Sequence, residues 1–516
     1  MRRRDLGKAA AAGAAFLTGS AASNWVLAKE NAPELKWDDS ADVVIVGFGG
    51  AGAAAAIEAH DAGAKVLILE KMATGGGNTS VSAGGIMIPK KKEDAYEYLQ
   101  KTFEYAGSEM DEELLKLFTD EIVKQREFLM KLGEGARMGR YGGAGFPTLP
   151  HADTIDKYTF FYGKVSAGPA LFAMYRNAVV NQRKISVKYN APVVRLITEG
   201  GRIAGVQTKE GGAAKNYRAA KAVILACGGY EYSEEMLSNF AKGIRIHSLG
   251  CPANTGDGLK MAEAAGAKLW HMTAYSCPLG AVVPGKKAVA SSGMPASGFW
   301  VDQDGRRFVN EKGIDTHTCL YAVDLFDPIK HRYPRIPAYL IFDEKARKAG
   351  PVAGLITGWL GHREGYKWSK DNSEEIQAGI IKKADSLEAL ANLVGISPEG
   401  LKETVARWNE DVTHEKDTLF GRPMKNAKGA VVSEAFDNGP YYALELVPAL
   451  LNTQGGPRRN AKGQVLNAYG EVIPHLYVAG ELGSMWGHIY QGACNNAEAL
   501  VFGRLAGRAA AAEPSI

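Results

Sequence analysis

The pattern of hydrophobic positions along the chain predicts alternating strands and helices. Short, continuously apolar runs at Asp42–Gly47, Lys65–Glu70 and Lys221–Ala226 are typical of buried parallel strands. An alanine-rich segment that ends near Ala62 separates the first two runs and is predicted to be a helix. A later apolar run, His475–Glu481, predicts another buried strand. This order of elements indicates an α/β fold that contains a parallel sheet.

Glycines follow the first predicted strand at the spacing of a dinucleotide-binding turn. Gly47, Gly49 and Gly52 form the pattern Gly-x-Gly-x-x-Gly between that strand and the predicted helix. The first glycine allows a tight turn, the second the approach of a pyrophosphate, and the third close packing of the helix. The helix N-terminus attracts phosphate, and Glu70 at the end of the second strand can accept ribose hydroxyls. We therefore predict a bound nucleotide.

A second glycine-rich loop, residues 75–85, distinguishes FAD from NAD, because NAD-binding units do not need it. Further along, Lys188–Ile197 and Arg202–Val206 predict a β-hairpin. Glycines also follow the later strands, at Gly228 and Gly480. The sequence thus contains several separated segments of the kind that one extended FAD molecule contacts.

Together these motifs resemble the flavoprotein family of fumarate reductases, succinate dehydrogenases and 3-ketosteroid dehydrogenases. The resemblance extends from Asp42 to Ala509. It implies a two-segment Rossmann-like FAD-binding domain, residues 29–273 and 435–516, with an inserted α+β capping domain, residues 274–434. The cap is expected to be mobile and to close over the substrate.

The resemblance also implies a set of cofactor contacts. Glu70 would hold the adenosine ribose, Val193 would lie at the adenine, and Glu481 would hold the ribitol. Backbone near Asn495 would meet the pyrimidine edge of the flavin. Asn78 stands where covalently flavinylated members carry histidine, so non-covalent FAD is expected. The residues predicted to bind the cofactor are Gly47, Gly49, Ala51, Gly52, Glu70, Lys71, Gly77, Asn78, Thr79, Ala83, Gly84, Gly85, Val193, Gly228, Asp257, Glu481, Asn495 and Asn496.

The positions that bind a dicarboxylate in fumarate-type members differ here. A buried dianion needs cationic partners, because an unpaired buried charge is costly. The family's histidine before proline is Cys277, and its Thr-Glu-x-x-Arg segment falls at 291–294 without acid or arginine. Its arginine proton donor corresponds to Asp315, its second histidine to Asn452, and its carboxylate-binding arginine to Tyr490. We therefore predict that neither fumarate nor succinate is the substrate.

Tyr490 makes its loop more similar to that of the ketosteroid dehydrogenases. In those enzymes a tyrosine hydroxyl and the N–H of the last loop residue bind a ketone oxygen, roles that would fall to Tyr490 and Cys494. The second tyrosine of the steroid enzymes corresponds to Asp315, so this half of the match fails. The proton donor is left open between Asp315, His317 and Tyr490 itself. The predicted catalytic residues are Tyr490, Asp315, His317, Asn452 and Cys494, and no metal site is predicted.

Loss of the cations with retention of aromatic residues predicts an apolar or aryl substrate with one carbonyl or carboxyl group. We expect an FAD-dependent enzyme that reduces the activated C=C bond of such an enoate or enone as a respiratory electron sink. The sequence contains no additional fold that would bind NAD, and no CxxC or CxxCH motif that would bind an iron–sulfur cluster or haem. A separate electron donor is therefore expected, either a c-type cytochrome or a quinol-linked protein. Two alternatives are a 3-ketosteroid-type dehydrogenase that introduces a C=C bond and a non-catalytic flavin electron carrier.

Composition and charge concern where the protein works and what it does not bind. Hydrophobic residues make up 46% of the chain and charged residues 23%, which is ordinary for globular proteins. The net charge is +4, and beyond residue 8 the largest basic cluster is at 90–92, which does not favour nucleic-acid binding. Residues 1–28 begin with paired arginines and a weakly apolar run that resemble a twin-arginine export signal. The run is too short to span a membrane, so we expect a periplasmic or otherwise exported protein that is not integral to the membrane.

Overall fold

A computed structural model describes residues 35–242, 244–286, 289–354 and 357–515. The expected export signal, residues 1–28, lies outside the described residues. Among the described residues, no helix combines the length and the hydropathy needed to cross a bilayer.

The first large sheet is built on the parallel strands that the apolar runs predict. Asp39–Val46 pairs in parallel with both Ala213–Leu225 and Val66–Leu69, and Val472–Val478 pairs in parallel with Ala213–Leu225. Because parallel strands end at the same edge of a sheet, the glycine turns that follow them lie close together. The order of strands along the sheet is Gln464–Leu466, Val472–Val478, Ala213–Leu225, Asp39–Val46, Val66–Leu69 and Ser186–Lys188.

The predicted strand 188–197 is divided into two in the structure, so its prediction as one continuous strand is wrong. Ser186–Lys188 joins the parallel sheet, while Val193–Glu199 forms the hairpin with Arg202–Glu210. Between them Asn190 has a φ of +55°, which turns the chain. Apolar patterning does not reveal this break, because both halves are strands.

Two helices made mostly of small residues pack on this sheet. Gly50–Asp61 follows the first strand, and Cys494–Ala512 closes the described chain. A Cβ on Gly507 would lie 2.3 Å from the Ala55 carbonyl oxygen, so the helix backbones approach too closely for a side chain there. This contact brings the start of the C-terminal helix to the glycine turn after the first strand.

A second mixed sheet has Tyr441–Leu450 as a central strand, with which His247–Ser248 and Ile381–Ala384 also pair. The predicted boundary at 435 assigns Tyr441–Leu450 to the FAD-binding domain, although its partners include strands of the predicted cap. The domain limits therefore stay a prediction. The order along this sheet is Gly298–Val301, Ala338–Asp343, Tyr441–Leu450, Leu279–Val282, Val289–Ser292 and Ala353–Gly354.

The chain passes between the two large sheets through short antiparallel pairs. Tyr275–Ser276 pairs with Asn452–Thr453, and Leu269–Trp270 pairs with Gly456–Pro457. The outgoing and returning segments therefore lie side by side. We call these two pairs the crossing ribbon.

A small antiparallel sheet and the remaining helices surround this frame. The small sheet runs in the order Ile86–Pro89, Ile155–Tyr162 and Arg137–Gly143, with Val165–Ser166 beside Ile155–Tyr162. The other α-helices are Lys92–Ala106, Glu112–Ile122, Gln125–Lys131, Ala167–Arg176, Glu234–Phe240, Asp257–Ala264, Leu320–Val323, Glu344–Ala349, Trp359–His362, Ser373–Gln377, Leu387–Val394 and Pro398–Thr413.

Candidate active site

A cavity of about 570 Å³ is lined both by the glycine turn after the first strand and by residues 291–293 of the second sheet. Four residues expected in the site do not line it, namely Gly52, Gly84, Asp315 and Cys494. The predicted site residues that line the cavity are Gly47, Gly49, Ala51, Glu70, Lys71, Gly77, Asn78, Thr79, Ala83, Gly85, Val193, Gly228, Asp257, His317, Asn452, Glu481, Tyr490, Asn495 and Asn496.

Gly49 leaves a cradle at the start of the helix Gly50–Asp61. A Cβ on Gly49 would meet nothing nearer than the Gly76 carbonyl oxygen at 3.9 Å, and Gly49 lines the cavity. The glycine therefore keeps open a space that a methyl group would fill. Because helix N-terminal N–H groups bind phosphate, this space fits a pyrophosphate.

The neighbouring glycines are required by the turn itself. Gly47 has a φ of +103°, and a Cβ there would lie 2.4 Å from the Ala226 carbonyl oxygen. A Cβ on Gly52 would lie 2.1 Å from the Gly47 carbonyl oxygen, which explains why Gly52 packs under the turn rather than lining the cavity. Gly84 has a φ of +66° and packs against Ala167 in the same way.

Glu70 is fixed in place by two backbone N–H groups. Its carboxylate accepts hydrogen bonds from the N–H of Phe48 at 2.8 Å and of Met72 at 2.9 Å. Burial raises the pKa of Glu70 above its ordinary value, although these hydrogen bonds act in the opposite direction. A carboxylate has further acceptor positions, so Glu70 can also accept hydroxyl groups of a ribose in the cavity.

Lys71 and Asp257, both predicted to touch the cofactor, are paired with each other. Lys71 Nζ lies 2.7 Å from Asp257 Oδ2 and donates to Thr255 Oγ1 at 2.8 Å. The lysine charge is therefore already compensated at this end of the cavity.

Asn78 joins two buried glutamates beside the second glycine-rich loop. Its Nδ2 donates to Glu231 Oε1 at 2.7 Å and to Glu481 Oε2 at 2.9 Å, and its Oδ1 accepts from the N–H of Cys251 at 2.7 Å. Asn254 Nδ2 also donates to Glu231 Oε1, at 2.7 Å. Sequence reasoning missed Glu231, since a lone glutamate after a glycine pair carries no signal.

The two glutamates influence each other's ionisation. Burial raises the pKa of Glu231 to about 7. Burial, and then the charge of Glu231, raise the pKa of Glu481 well above its ordinary value. Two carboxyl groups in one buried site favour a state in which one is protonated. We call this the Glu231–Glu481 pair.

These features fit FAD. The cradle at Gly49 suits the pyrophosphate and Glu70 suits the adenosine ribose, while Asn78 offers an amide where a covalent link would need a ring nitrogen. The helix Cys494–Ala512 begins at the cavity next to Asn495, and the positive end of its dipole suits the electron-rich pyrimidine edge of a flavin.

Tyr490 also lines the cavity, and a hydrogen bond fixes the position of its hydroxyl group. The side chain is buried, and its oxygen accepts a hydrogen bond from the N–H of Asn495 at 2.8 Å. The hydroxyl proton therefore remains available for an acceptor in the cavity. Burial raises the pKa of Tyr490 well above its ordinary value, which keeps the phenol protonated. The rings of Tyr490 and His317 have centroids 5.1 Å apart.

His317 is held from behind by Asp315. Asp315 Oδ1 lies 2.7 Å from His317 Nδ1 and accepts the backbone N–H of His317 at 2.9 Å. Burial acts to raise the pKa of Asp315, but the hydrogen bonds from His317 and the nearby positive charges outweigh it, so this pKa lies below its ordinary value. Asp315 is therefore an ionised acceptor, and His317 faces the cavity.

The structure gives Cys494 and Asn452 contacts within the protein. The N–H of Cys494, expected to bind a substrate oxygen, donates to the Gln491 carbonyl oxygen at 3.2 Å. Its oxyanion role therefore stays a prediction with a competing acceptor. Asn452 lines the cavity from the crossing ribbon, and its Nδ2 donates to the Thr453 carbonyl oxygen at 3.2 Å.

Lys157 brings into the cavity a cation that sequence reasoning missed. It lies in the strand Ile155–Tyr162, and its Nζ is 5.8 Å from the centroid of the Tyr141 ring. Both residues line the cavity. A lysine in a strand of alternating pattern usually faces solvent. The pattern does not show that this face of the strand lines a cavity.

Comparison with known proteins supports the same assignment. The family described as FAD binding domain matches residues 42–496. A fumarate reductase (cytochrome) from Shewanella frigidimarina is 33% identical over 488 residues, which cover 92% of this chain and 77% of that protein. A 3-oxosteroid 1-dehydrogenase from Mycobacterium tuberculosis is 28% identical over 563 residues, covering 90% of this chain and 97% of that protein.

Solved structures agree on the fold. The 3-ketosteroid Δ1-dehydrogenase of Sterolibacterium denitrificans in complex with 1,4-androstadiene-3,17-dione gives a TM-score of 0.78 at 22% identity, covering 92% of this chain and 100% of that chain. The open conformation of a flavocytochrome c3 fumarate reductase gives a TM-score of 0.68 at 24% identity, covering 92% and 78%. The family, the fold and the FAD cofactor expected from the sequence are thus confirmed. The chain belongs to the FAD-binding flavoprotein family whose members include fumarate reductases and 3-ketosteroid dehydrogenases, and it is an FAD-dependent oxidoreductase.

Proposed function

We propose that this oxidoreductase reduces the activated C=C bond of an apolar or aryl enoate or enone, and that fumarate is not its substrate. The observation that carries the proposal is the pairing of Tyr490 and His317 at the cavity, with ring centroids 5.1 Å apart. By the sequence correspondence, Tyr490 replaces the carboxylate-binding arginine of fumarate-type members, and His317 lies two residues beyond Asp315, which replaces their arginine proton donor. Bound FAD supplies the hydride that the β carbon of the substrate receives.

Tyr490 is suited to stabilise the charge that develops on the substrate. Its oxygen is held by the N–H of Asn495, so its own proton can be donated to a carbonyl or carboxyl oxygen. A fixed donor in a buried site stabilises an enolate without reorganisation. The high pKa of Tyr490 suits a donor that keeps its proton while the oxygen gains charge.

His317 is the proton donor that the geometry favours. Asp315 does not line the cavity, is ionised, and already accepts two hydrogen bonds from His317. His317 Nε2 has no hydrogen-bond partner among the described residues, and the ring lines the cavity. We therefore assign to His317 the proton that goes to the α carbon, and to Asp315 the orientation of the imidazole.

The charges of the cavity do not suit a dicarboxylate. Among the described residues that line it there is no arginine, and the lysines are Lys71 and Lys157. Lys71 is paired with Asp257. A buried dianion would leave at least one carboxylate without a cation, which is strongly unfavourable.

Electrons are proposed to arrive from a separate c-type cytochrome or a quinol-linked donor, in the periplasm or another exported location. This rests on the expected twin-arginine signal in residues 1–28 and on the absence of haem or iron–sulfur motifs from the sequence. The Shewanella relative is a fumarate reductase (cytochrome), which is consistent with a cytochrome as the electron donor.

A second candidate is a 3-ketosteroid-type dehydrogenase that introduces a C=C bond next to a ketone. Tyr490 favours it, because its hydroxyl corresponds to the ketone-binding tyrosine of that group. The third hypothesis, a non-catalytic flavin electron carrier, predicts that no small molecule reoxidises the reduced protein.

The experiment is an anaerobic reoxidation test. Photoreduced protein is mixed with fumarate and with a panel of aryl acrylates, enones and steroids, and the flavin absorbance is followed. We expect the protein to stay reduced with fumarate and to be reoxidised by a member of the enoate or enone set. Fast reoxidation by fumarate would overturn the proposal, and bleaching of oxidised protein by a saturated 3-ketosteroid alone would favour the second candidate.

Tyr490→Phe tests the oxyanion role. Removing a single donor of this kind costs about 10²- to 10³-fold in rate, so reoxidation by the preferred substrate should slow by that factor while FAD content is unchanged. Tyr469→Phe, at an exposed position, is the control and should leave the rate unchanged. An unaffected rate in Tyr490→Phe would contradict the role.

A further inference from the structure

We infer that Lys157 binds the carboxylate of the substrate, and that the substrate is therefore an α,β-unsaturated monocarboxylate rather than a neutral enone. This inference rests on the proposed reduction of a C=C bond and narrows its substrate class. The juxtaposition that carries it is a half-buried lysine that lines the same cavity as Tyr490 and His317.

Lys157 forms no direct ion pair within the described part of the chain. No carboxylate oxygen of the described residues lies within 4.0 Å of Lys157 Nζ. Lys157 Nζ lies over the ring of Tyr141, whose centroid is 5.8 Å away. A ring face compensates a cation only in part. An anion that enters the cavity would supply the missing partner.

Lys157 lies close to the catalytic residues. Its charge is among those that lower the pKa of Asp315, the residue that holds His317. Its neighbour Tyr141 is close to Gly85, where a Cβ would lie 2.2 Å from Tyr141 Oη and 3.0 Å from Ala493 Cβ. Tyr141 thus lies between the lysine and the segment that contains Tyr490 and Ala493.

The charge of the site fixes the charge of the ligand. The other lysine of the cavity, Lys71, forms an ion pair with Asp257 at 2.7 Å. One ammonium group without a direct ion-pair partner matches one carboxylate, whereas a dicarboxylate would need a second cation. A ketone would leave the ammonium group without an anion.

The reaction itself gives the cation a purpose. Hydride addition to the β carbon of an enoate places further negative charge on a group that already carries one. A cation and a hydroxyl at the two oxygens stabilise that charge far better than a hydroxyl alone. An enone develops only a single negative charge and does not require the lysine.

The experiment compares matched charged and neutral ligands on the FAD-loaded protein. Binding of 3-phenylpropanoate and of 4-phenyl-2-butanone is measured from the change in the oxidised flavin spectrum, without turnover. Lys157→Met should weaken binding of the acid about 10- to 100-fold, the range for a hydrogen bond to a charged group, and leave the ketone within about threefold. Lys157→Arg should retain most of the affinity for the acid, and the exposed Lys164→Met is the control.

Turnover with cinnamate and with benzylideneacetone separates the inference from the proposed function. Loss of cinnamate reduction in Lys157→Met, with restoration by Lys157→Arg, supports both. Reduction of the enone but not of cinnamate by the wild-type protein overturns the inference and leaves the proposed reduction standing. Lysine-dependent binding of 3-phenylpropanoate without reduction of either compound leaves the carboxylate site standing and overturns the proposed reduction. Equal losses for acid and ketone in both Lys157 variants would show a structural role and overturn the inference.

Discussion

Two hydrogen bonds between His317 and Asp315 indicate different roles for the two residues, proton donation for His317 and its orientation for Asp315. The carboxylate of Asp315 accepts one hydrogen bond from Nδ1 of the His317 ring and another from the backbone N–H of His317. The imidazole therefore cannot rotate without losing its hydrogen bond to Asp315. The other nitrogen of the ring is then directed by the same contacts. A carboxylate that fixes a histidine in this way acts on the reaction only through that histidine.

Substitution of each residue tests this division. His317→Asn should slow substrate reduction by 10²- to 10⁴-fold, the usual contribution of a positioned proton donor. Asp315→Asn should cost less and should change the pH dependence of the rate, because the imidazole loses its anionic partner. The rate of flavin reoxidation in single-turnover mixing, measured from pH 5 to 9, checks both.

The opposite ranking would contradict the assignment. If Asp315→Asn abolished reduction while His317→Asn retained it, Asp315 would be the donor. Flavin content and the affinity for 3-phenylpropanoate serve as controls, since neither should depend on the proton donor.

The sequence predicts which side chains line the cavity better than it predicts the role of each side chain. Tyr490, His317 and Asn452 line the cavity as expected. The choice between Asp315 and His317 depends on which one faces the cavity, and two residues of separation contain no such information. Lys157 was missed because it lies far from every motif.

Among the elements, the turn between the first strand and the helix Gly50–Asp61 separates binding from folding. Gly49 has ordinary extended backbone angles, and a Cβ there would contact only the cavity. Gly47, in contrast, has a positive φ and no room for a Cβ. The two glycines therefore fail in different ways when replaced.

Gly49→Ala should keep the stability of the apo protein and reduce the FAD retained after purification, because the methyl group occupies the pyrophosphate space. Gly47→Ala should lower both stability and FAD content. The flavin-to-protein absorbance ratio and the urea midpoint of the apo protein measure the two effects. Full FAD content in Gly49→Ala would show that the cradle does not hold the pyrophosphate.

Continuous apolar runs predict strands well, because strands buried on both faces are apolar along their whole length. Asp39–Val46, Val66–Leu69 and Val472–Val478 appear close to the predicted positions. The break at Asn190 and the placing of Tyr441–Leu450 in the second sheet were not visible, since pairing partners are set by tertiary contacts.

For the whole molecule, the Glu231–Glu481 pair ties together distant parts of the chain. Through Asn78 it links the second glycine-rich loop, the segment after Ala213–Leu225 and the turn after Val472–Val478. Its protonation therefore affects the stability of the fold rather than that of a single loop.

The sign of the pH effect follows from the raised pKa. The pKa of Glu231 rises from its ordinary 4.5 to about 7, so the folded state binds this proton more tightly than the unfolded state. The contribution to stability is fully present below about pH 4.5 and is lost as the pH rises through 7. In the apo protein, the loss should amount to at most about 3 kcal/mol.

Glu231→Gln keeps an uncharged group in the site and should remove the part of the pH dependence that the titration of Glu231 contributes. The difference in the free energy of unfolding between wild type and variant should therefore change between pH 5 and 8, in favour of the variant at high pH. Urea denaturation of the apo proteins measures it, and Glu113→Gln at an exposed helix position is the control. A difference that does not vary with pH would contradict the shared proton.

The sequence predicts the fold class and the cofactor of the whole molecule, because four separated motifs all indicate the same ligand, FAD. The limits of the two domains stay a prediction. Tyr441–Leu450 is as apolar as a strand of the first sheet and pairs instead with the second.

The crossing ribbon has a consequence for the timing of the reaction. The segment that carries His317 lies between the two crossings, whereas Tyr490 and the glycine turns lie outside them. The imidazole and the phenol therefore come from segments that lie far apart in the sequence, and any relative movement of these segments changes the distance between the two rings, now 5.1 Å. With the proposed roles, proton donation by His317 and stabilisation of the enolate by Tyr490 would be possible only while both segments contact the same substrate molecule.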